Sequence, residues 1–372
     1  MNFASWLAEQ DRHQAGLSLH AKTAADVERA LIRPHRDLED FKALLSPAAE
    51  PYLEAMAQAS QRLTRQRFGM TQQLFAPLYL SNACANECTY CGFSMSNKLR
   101  RKVLNAQELD AEARVLKQRG FEHLLLVAGE APRVVGVDYY RKALAQLQPQ
   151  FAQLSLEVQP LMQADYERLR PHGLHAVLIY QETYDPHCYQ RYHTRGQKQD
   201  FAFRLNAPDE AGAAGVHKLG LGVLLGLTDW RLDSLACAWH LNWLARRHWR
   251  TRFSLSFPRL RPAEGDFQVP NPVSDRALVQ LLCAWRLFSP DLELTLSTRE
   301  PPALRDRLVS LGITSMSAAS STRPGGYAEA EGGTLEQFST DDQRSVPAIV
   351  ERLQQLKYQP VWKDWSPALS AF

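Results

Sequence analysis

The chain has 372 residues, of which 45% are hydrophobic and 22% are charged, and these values exclude a fibrous repeat or a largely disordered chain. Its 43 Lys and Arg residues nearly balance its 40 Asp and Glu residues, so no broad surface for nucleic acid or an anionic membrane is expected. The longest uninterrupted apolar run, 219–227, is too short to span a bilayer. Charged residues from Glu9 onward interrupt any signal-peptide core, so we expect a cytoplasmic protein.

The N-terminal part of the chain has helical patterns throughout. Thr23 and Asp26 have the spacing of a capping box at a helix start. Ser46 followed by Pro47 predicts a second start, and the apolar spacing after it predicts a helix as far as about Arg67. We therefore expect a helical N-terminal extension over residues 1–70.

After this extension, short apolar runs alternate with amphipathic stretches. The runs predict strands at 77–82, 123–128, 154–158, 175–180, 217–224, 252–257, 292–297 and 313–317. The stretches predict helices near 106–119, 138–148, 163–171, 201–213, 230–248, 274–287, 302–311 and 344–356. Between a helix and the next strand, a left-handed helix end is expected at four glycines: Gly120, Gly173, Gly215 and Gly312.

Eight strand–helix units in succession predict an α/β fold, a (β/α)8 barrel of the TIM type. We expect the barrel to span 71–340 and a C-terminal helix and tail, 341–372, to close it. An open, doubly wound sheet is the alternative, because strand predictions from a single sequence are uncertain. In a barrel, the polar motifs that follow the strands share one face, and that face is the catalytic one.

Three of the six cysteines, Cys84, Cys88 and Cys91, crowd into the segment CANECTYC. Their C-x3-C-x2-C spacing does not suit structural zinc, which needs four protein ligands, because the nearest histidine is His123. It also differs from the C-x4-C-x2-C spacing of plant-type ferredoxins. Three thiolates on a four-iron cluster would leave one iron open to a substrate, and three incidental cysteines are the less specific alternative.

The other three cysteines are expected to be inert. Cys237 and Cys283 lie in predicted helices and have the character of small core residues. Cys188 is flanked by His187 and His193, but a zinc site there would lack a clear fourth ligand.

The cysteine segment resembles that of the radical S-adenosylmethionine (SAM) enzymes, in which it follows the first barrel strand. The resemblance implies that Cys84, Cys88 and Cys91 bind three irons of a [4Fe-4S] cluster and that SAM chelates the fourth. Tyr90 matches the aromatic position of this loop, which contacts adenine, and ordinary packing is the alternative for it.

The same resemblance implies further contacts with SAM. Ala128, Gly129 and Glu130 are similar to the Gly-Gly-Glu element that binds the SAM amino group, although Ala replaces the first glycine. Glu157 would bind the ribose hydroxyls. Arg204 stands where biotin synthase-like members keep an arginine for the SAM carboxylate, a role that suits a bidentate guanidinium. An exposed position is the alternative for Glu157 and for Arg204.

Over nearly its whole length the chain is similar to the 2-iminoacetate synthases, the tyrosine lyases of thiamine biosynthesis. The segments that carry this similarity include LYLSNACANECTYCGFSMSN, FEHLLLVAGE, YQETY, GLGVLLGLTDWR, SFPRLRP, LSTRE, SSTRPGGY and QPVWKDW. The resemblance implies that a 5'-deoxyadenosyl radical takes hydrogen from the tyrosine amine, after which the Cα–Cβ bond breaks to give p-cresol and dehydroglycine. It also implies a flavodoxin or ferredoxin as electron donor and a thiazole synthase that consumes the imine.

A tyrosine substrate needs a fixed site for its carboxylate. Arg299 and Arg323 both follow late predicted strands, but the neighbouring Glu300 is expected to pair with Arg299, so Arg323 is favoured. Ser321 stands where the related hydrogenase maturase has a basic residue. That maturase carries a second cluster on C-terminal cysteines, and this chain has no cysteine after Cys283.

Two other functions stay open at this point. Tryptophan or another aromatic amino acid could replace tyrosine, because a sequence does not reveal the size of a pocket. A non-catalytic iron–sulfur electron carrier would need only the three cysteines, but it would leave the polar motifs after the other strands unexplained.

Overall fold

The computed structural model describes residues 1–261, 263, 267–329 and 336–363. Its N-terminal helices are α1 Phe3–Ala8, α2 Arg12–His20, α3 Ala24–Ile32, α4 Leu38–Leu45 and α5 Leu53–Phe68. The capping box of Thr23 and Asp26 is confirmed at the start of α3. The predicted helix start at Pro47 is also present, but Pro47–Tyr52 is a 3-10 helix and α5 begins after it. Pro51 has no N–H group with which to continue an α-helix from that start.

Eight parallel strands form the predicted barrel. They are β1 Thr71–Ser81, β2 His123–Ala128, β3 Gln153–Glu157, β4 Leu174–Leu178, β5 Lys218–Gly222, β6 Arg252–Ser256, β7 Glu293–Leu296 and β8 Ser315–Ser317. Each strand pairs with the next, and β8 pairs with β1 in a register that sets Gln73 beside Ser315. The sheet therefore closes on itself, so the barrel is confirmed and the open doubly wound sheet is wrong.

The later helices lie close to their predicted positions, except for Pro186–Tyr192, which was not predicted. They are α6 Ala106–Gln118, α7 Val137–Leu147, α8 Gln163–Leu169, α9 Pro186–Tyr192, α10 Phe201–Ala213, α11 Trp230–Arg247, α12 Asp275–Phe288, α13 Pro302–Leu308 and α14 Val346–Gln355. Gly120, Gly173 and Gly215 have φ values of 91°, 91° and 72°, as expected for left-handed helix ends. Gly312, with φ 153°, does not adopt that conformation.

Strand β1 begins at Thr71, well before the predicted start at Pro77. The difference arises because its first residues are polar although they are buried inside the barrel. Gln73 Nε2 donates to Gln153 Oε1 at 2.8 Å across the barrel interior. A ninth strand, β9 Gln359–Val361, pairs with the same end of β1 and follows α14.

The amino-terminal half of the barrel interior is filled by polar side chains. Lys218 Nζ donates to Glu293 Oε2 at 2.9 Å, and His123 shares a hydrogen bond of 2.9 Å with Ser155. The cavity among these groups measures only about 20 Å³, about enough for a single water molecule. A substrate must therefore bind at the opposite, carboxyl end of the strands. Among the described helices, none combines the length and the apolar character that crossing a membrane would need.

Candidate active site

The cysteine segment forms a loop directly after β1, at the carboxyl end of the barrel. Cys88 is buried, whereas Cys84 and Cys91 are partly buried. Cys91 N–H donates to the Cys88 carbonyl at 3.1 Å, and Cys88 N–H donates to Ser94 Oγ at 2.7 Å. Arg101 donates three hydrogen bonds of 2.6–2.9 Å to backbone carbonyls of the loop and its flanks. These bonds give the cluster loop, residues 82–97, a defined shape.

A second segment, residues 189–199, packs against the cluster loop and holds it. His193–Arg195 forms a short antiparallel ladder with Glu87–Cys88. Lys198 N–H donates to Asn86 Oδ1 at 3.0 Å, so the amide of a loop residue is bound by this segment as well. The position of the cysteines therefore depends on residues about one hundred positions later in the chain.

The three thiols suit an iron–sulfur cluster better than a single metal ion. Within the described ranges, no three His, Cys, Asp or Glu side chains converge where one ion would sit. Burial raises the pKa of Cys84 to about 11 and also raises the pKa values of Cys88 and Cys91, so the thiols stay protonated until a metal displaces the protons. Gln337 Nε2 lies 3.9 Å from Cys91 Sγ, as in the weak N–H···S bonds that stabilise cluster ligands.

Gly129, after β2, lies against the cluster loop where no side chain fits. A Cβ atom there would lie 2.9 Å from the carbonyl carbon of Ala83, closer still to its oxygen, and 3.2 Å from Cys84 Cβ. Gly129 N–H donates to the Ser81 carbonyl at 3.0 Å, which fixes the close approach. Packing alone therefore requires a glycine in the Ala-Gly-Glu element.

Glu130 and Arg204 form a buried ion pair in the mouth of the barrel. Arg204 Nη1 donates to Glu130 Oε1 at 2.7 Å, and Arg204 Nε donates to the Tyr180 carbonyl at 2.8 Å. Asn86 Nδ2 donates to the second Glu130 oxygen at 2.8 Å. Burial alone would raise the pKa of Glu130, but the charges of Arg204 and Lys198 and these hydrogen bonds lower it below the usual range. Glu130 is therefore an anion, and Arg204 is not on the protein surface.

Tyr90 is fixed by a hydrogen bond to a neighbouring histidine. Its hydroxyl lies 2.8 Å from His193 Nε2, and His193 Nδ1 lies 2.8 Å from the Tyr189 carbonyl. A carbonyl can only accept, so Nδ1 carries the proton and Nε2 accepts from Tyr90. The rings meet edge to face at 5.6 Å, so Tyr90 has a defined packing role, and the adenine contact stays a prediction.

Arg299, after β7, lies inside the barrel mouth. Its guanidinium lies 3.4 Å from the centre of the Phe338 ring, and its charge acts on Glu157, Glu182 and Cys91. It forms no ion pair with any residue in the described ranges, and burial lowers its pKa. A cation held in this way offers its hydrogen-bond donors to an anionic ligand.

Glu300 does not neutralise Arg299, and that expectation is wrong. Glu300 is bound instead by Arg259, which follows β6. Arg259 Nε lies 3.0 and 3.1 Å from the two oxygens of the Glu300 carboxylate. Arg299 instead acts electrostatically on Glu157. Burial raises the pKa of Glu157 to about 7, although the charge of Arg299 opposes this shift.

Arg323 and Ser321 follow β8, next to the strand that precedes Arg299. Both line a surface depression of about 590 Å³, together with Arg119 and Arg344. Arg323 Nη2 donates to the Glu329 carbonyl at 3.4 Å, and Ser321 N–H donates to the Tyr327 hydroxyl at 3.0 Å. Arg299 is not among the residues that line this depression, although Thr322 donates to the carbonyl of Phe338, whose ring Arg299 contacts.

Two family models match the chain, the Radical SAM superfamily over residues 78–236 and the Biotin and Thiamin Synthesis associated domain over residues 256–359. The chain is 52% identical over 354 residues to the 2-iminoacetate synthase of Escherichia coli (strain K12), covering 95% of this chain and 94% of that relative. It is 50% identical over 350 residues to the 2-iminoacetate synthase of Salmonella typhimurium, covering 94% and 93%. The chain belongs to the 2-iminoacetate synthases.

Membership of the 2-iminoacetate synthases confirms the resemblance and its cofactors, a [4Fe-4S] cluster and SAM. Among solved structures, that of HydG, a maturase of the [FeFe]-hydrogenase, superposes with a TM-score of 0.89 at 31% identity, covering 95% of this chain and 80% of HydG. The Radical SAM match contains the cluster loop, Glu130 and Arg204, whereas Arg299 and Arg323 fall in the second match.

The remaining cysteines of this 2-iminoacetate synthase lie outside the site. Cys237 and Cys283 are buried in α11 and α12, as expected. His193, which flanks Cys188, is committed to Tyr90 and Tyr189, and no metal-binding group forms there in the described part of the chain.

Three site residues were missed from the sequence. Asn86 lies within the cysteine motif and binds Glu130, but its spacing gives no signal of that contact. Glu182 belongs to the motif YQETY, and its φ of 70° is unusual for a residue with a side chain. Lys198, which donates to Glu182 at 2.7 Å, follows no strand, so the strand-end rule does not find it.

Proposed function

We propose that this 2-iminoacetate synthase cleaves the Cα–Cβ bond of L-tyrosine, giving 2-iminoacetate for the thiazole of thiamine and p-cresol. The observation that carries the proposal is Arg299, a guanidinium without an ion-pair partner in the described ranges, inside a mouth that also contains the cluster loop. An amino-acid substrate brings one carboxylate, and a guanidinium whose charge no carboxylate neutralises is suited to bind it through two parallel hydrogen bonds.

The cofactor ligands follow from the groups that converge on this mouth. Cys84, Cys88 and Cys91 would bind three irons, leaving the fourth to the amine and carboxylate of SAM. Cluster and SAM together supply the hydrogen-abstracting radical when they are bound. The residues of the chain hold the reactants in place and keep water away from them.

The proposed SAM contacts are based on the ion pair between Glu130 and Arg204 in the mouth of the barrel. Glu130 would take the SAM amino group together with the Ala128 and Gly129 carbonyls, and Arg204 would take the carboxylate. The two side chains now neutralise each other at 2.7 Å, so a zwitterionic ligand can exchange one ion pair for two without leaving a buried charge. Tyr90 and Glu157 would contact adenine and ribose.

For the tyrosine carboxylate we propose Arg299 rather than Arg323. Arg299 acts electrostatically on Cys91 and Glu157, whereas Arg323 and Ser321 line a surface depression that includes neither of these residues. A fixed bidentate contact orients the substrate as well as binding it, and orientation determines which hydrogen the radical can reach.

The experiment offers tyrosine and tryptophan side by side to anaerobically reconstituted protein with SAM and dithionite. We expect 5'-deoxyadenosine and p-cresol with tyrosine. Product from tryptophan alone would identify tryptophan as the substrate. Absence of 5'-deoxyadenosine would instead support the non-catalytic electron carrier. Cys88→Ser should lose the cluster spectrum, whereas Cys283→Ser, a buried cysteine in α12, should keep both the spectrum and the products.

The anchor is tested by tyrosine binding, measured by equilibrium dialysis. Arg299→Ala should weaken tyrosine binding by about 2–4 kcal/mol, as for a broken buried charge pair, and Arg299→Lys by less. Arg323→Ala is the matched control and should bind tyrosine normally. The opposite result would assign the anchor to the segment after β8.

We also propose a cytoplasmic setting with two protein partners. The imine product hydrolyses in water, so a thiazole synthase in direct contact would protect it. A flavodoxin or ferredoxin would supply electrons. Association of the thiazole synthase is tested by anaerobic co-purification at low salt.

A further inference from the structure

A surface depression of about 590 Å³ has one cysteine of the cluster loop in its wall. It is lined by Cys84 and its neighbours in the loop, by Ala131–Val134 after β2, and by Gln197. Cys88 and Cys91 are not among its lining residues. Pro132, Arg133 and Val134 are exposed, so the depression opens to solvent. The wall that carries Cys84 is therefore where a molecule in solution comes close to the cluster ligands.

An exposed apolar side chain, Val134, lines this depression, and a second one, Met95, is exposed on the cluster loop. Val134 is 59% exposed, and Met95, whose N–H donates to the Asn86 carbonyl in the cluster loop, is 40% exposed. Few large apolar side chains in the described ranges are exposed to this degree. Apolar side chains grouped around a functional loop are typical of surfaces that bind another protein.

Exposed cations lie on the depression and on the segments that adjoin it: Arg133 lines it, Lys98 and Arg100 follow the cluster loop, and Arg195 pairs with that loop. Lys98, Arg100, Arg133 and Arg195 are all exposed, and none forms an ion pair within the part of the chain that the structure describes. The carboxylate of Glu87, beside Arg195, accepts from the N–H and hydroxyl of Ser96 at 3.0 and 2.6 Å, and it offsets part of the charge of Arg195. The net charge of +3 for the whole chain hides this local excess.

We propose that this surface, formed by Val134 and Arg133 of the depression and by Lys98, Arg100 and Arg195 of the adjoining segments, docks a small acidic one-electron carrier protein. The proposal rests on the function proposed above, because only that chemistry needs an electron at the cluster. The step is an electron transfer: one electron leaves the carrier's redox group and reaches the cluster past Cys84, and no bond forms or breaks.

The size and charge of the surface suit such a partner. Redox complexes use small, short-lived interfaces, and complementary charge speeds their association more than it tightens them. Exposed cations attract an acidic protein at low salt and do so less at physiological salt. A permanent subunit would need a much larger apolar area than Val134 and Met95 provide.

The experiment uses the reconstituted full chain with a bacterial flavodoxin, reduced by its reductase and NADPH. The test variant is Lys98→Glu/Arg133→Glu. The matched control is Arg250→Glu/Lys357→Glu, which reverses two exposed cations at the amino-terminal end of the barrel, before β6 and β9. Three quantities are measured: the Kd for oxidised flavodoxin at low and at physiological salt, the rate of cluster bleaching by reduced flavodoxin, and 5'-deoxyadenosine formed with dithionite.

We expect the test variant to bind flavodoxin at least tenfold more weakly and to be reduced at least tenfold more slowly, while the control behaves as the wild type. Dithionite is a small reductant that needs no docking surface, so it should drive all three proteins equally. Wild-type binding and bleaching rates in the test variant, or no salt-dependent binding by the wild type, would overturn the docking proposal and leave the lyase proposal standing. Failure of the wild type with dithionite would instead reject the lyase.

Discussion

Gly129→Ala is expected to damage the cluster loop specifically. The new Cβ would lie 2.9 Å from the Ala83 carbonyl carbon, whereas carbon atoms in contact normally lie about 3.5–4.0 Å apart. The backbone of Ala83, next to Cys84, must therefore move by about 0.6 Å or more. Overpacking of this kind costs about 1–3 kcal/mol, and a shift at Cys84 misplaces one cluster ligand.

The matched control is Gly120→Ala. Gly120 has a φ of 91° and open space around the position of a Cβ atom, so alanine there costs about 1–2 kcal/mol through backbone strain alone, far from the cysteines. Urea unfolding of the two apo-variants should give similar losses of stability. After anaerobic reconstitution, only Gly129→Ala should contain clearly fewer than about four irons per chain. Equal and complete iron contents would refute the inference that this close approach positions Cys84.

Two predictions concern stability. Lys218→Met leaves Glu293 buried, with Arg252 at 3.1 Å as its remaining ion-pair partner, and should lower the free energy of unfolding by about 3 kcal/mol. The double variant Lys218→Met/Glu293→Leu should recover most of this loss, and an unchanged urea midpoint in the single variant would contradict the prediction. Burial lowers the pKa of His175 to about 2 and that of His240 to about 3, so both stay neutral in the fold while the unfolded chain takes up protons below about pH 6.5. Stability should therefore fall with pH below that value, by up to about 1.4 kcal/mol per pH unit for each histidine, and equal urea midpoints at pH 7.5 and 5.5 would argue against it.

The barrel could be predicted because its signals are local. Strand and helix periodicity, and the glycines after α6 and α10, depend on residues a few positions apart. The cysteine spacing is local too, and it pointed to the cluster loop. The start of β1 was missed because Gln73 is buried by pairing with Gln153, a contact between distant parts of the chain.

The arrangement of charges in the site could not be predicted for the same reason. Glu300 stands next to Arg299 in sequence, yet Arg259 binds it from the preceding strand end. Glu130 and Arg204, expected at opposite ends of one ligand, pair with each other across 74 positions. Sequence neighbours compete with residues that the closed barrel brings together, and only the three-dimensional contacts decide which partner is bound.

The contacts that hold the cysteines also determine when a cluster can be inserted during the life of the chain. The hydroxyl of Tyr90 forms its hydrogen bond with His193, 103 positions later, and Cys91 Sγ accepts from Gln337, 246 positions later. A ribosome adds residues from the amino terminus, so a nascent chain presents its three cysteines long before it contains the residues that shape their loop. Iron delivered at that stage would meet unorganised thiols. The assembly machinery must therefore act on the finished, folded barrel, and supply of the cluster is a maturation step separate from synthesis.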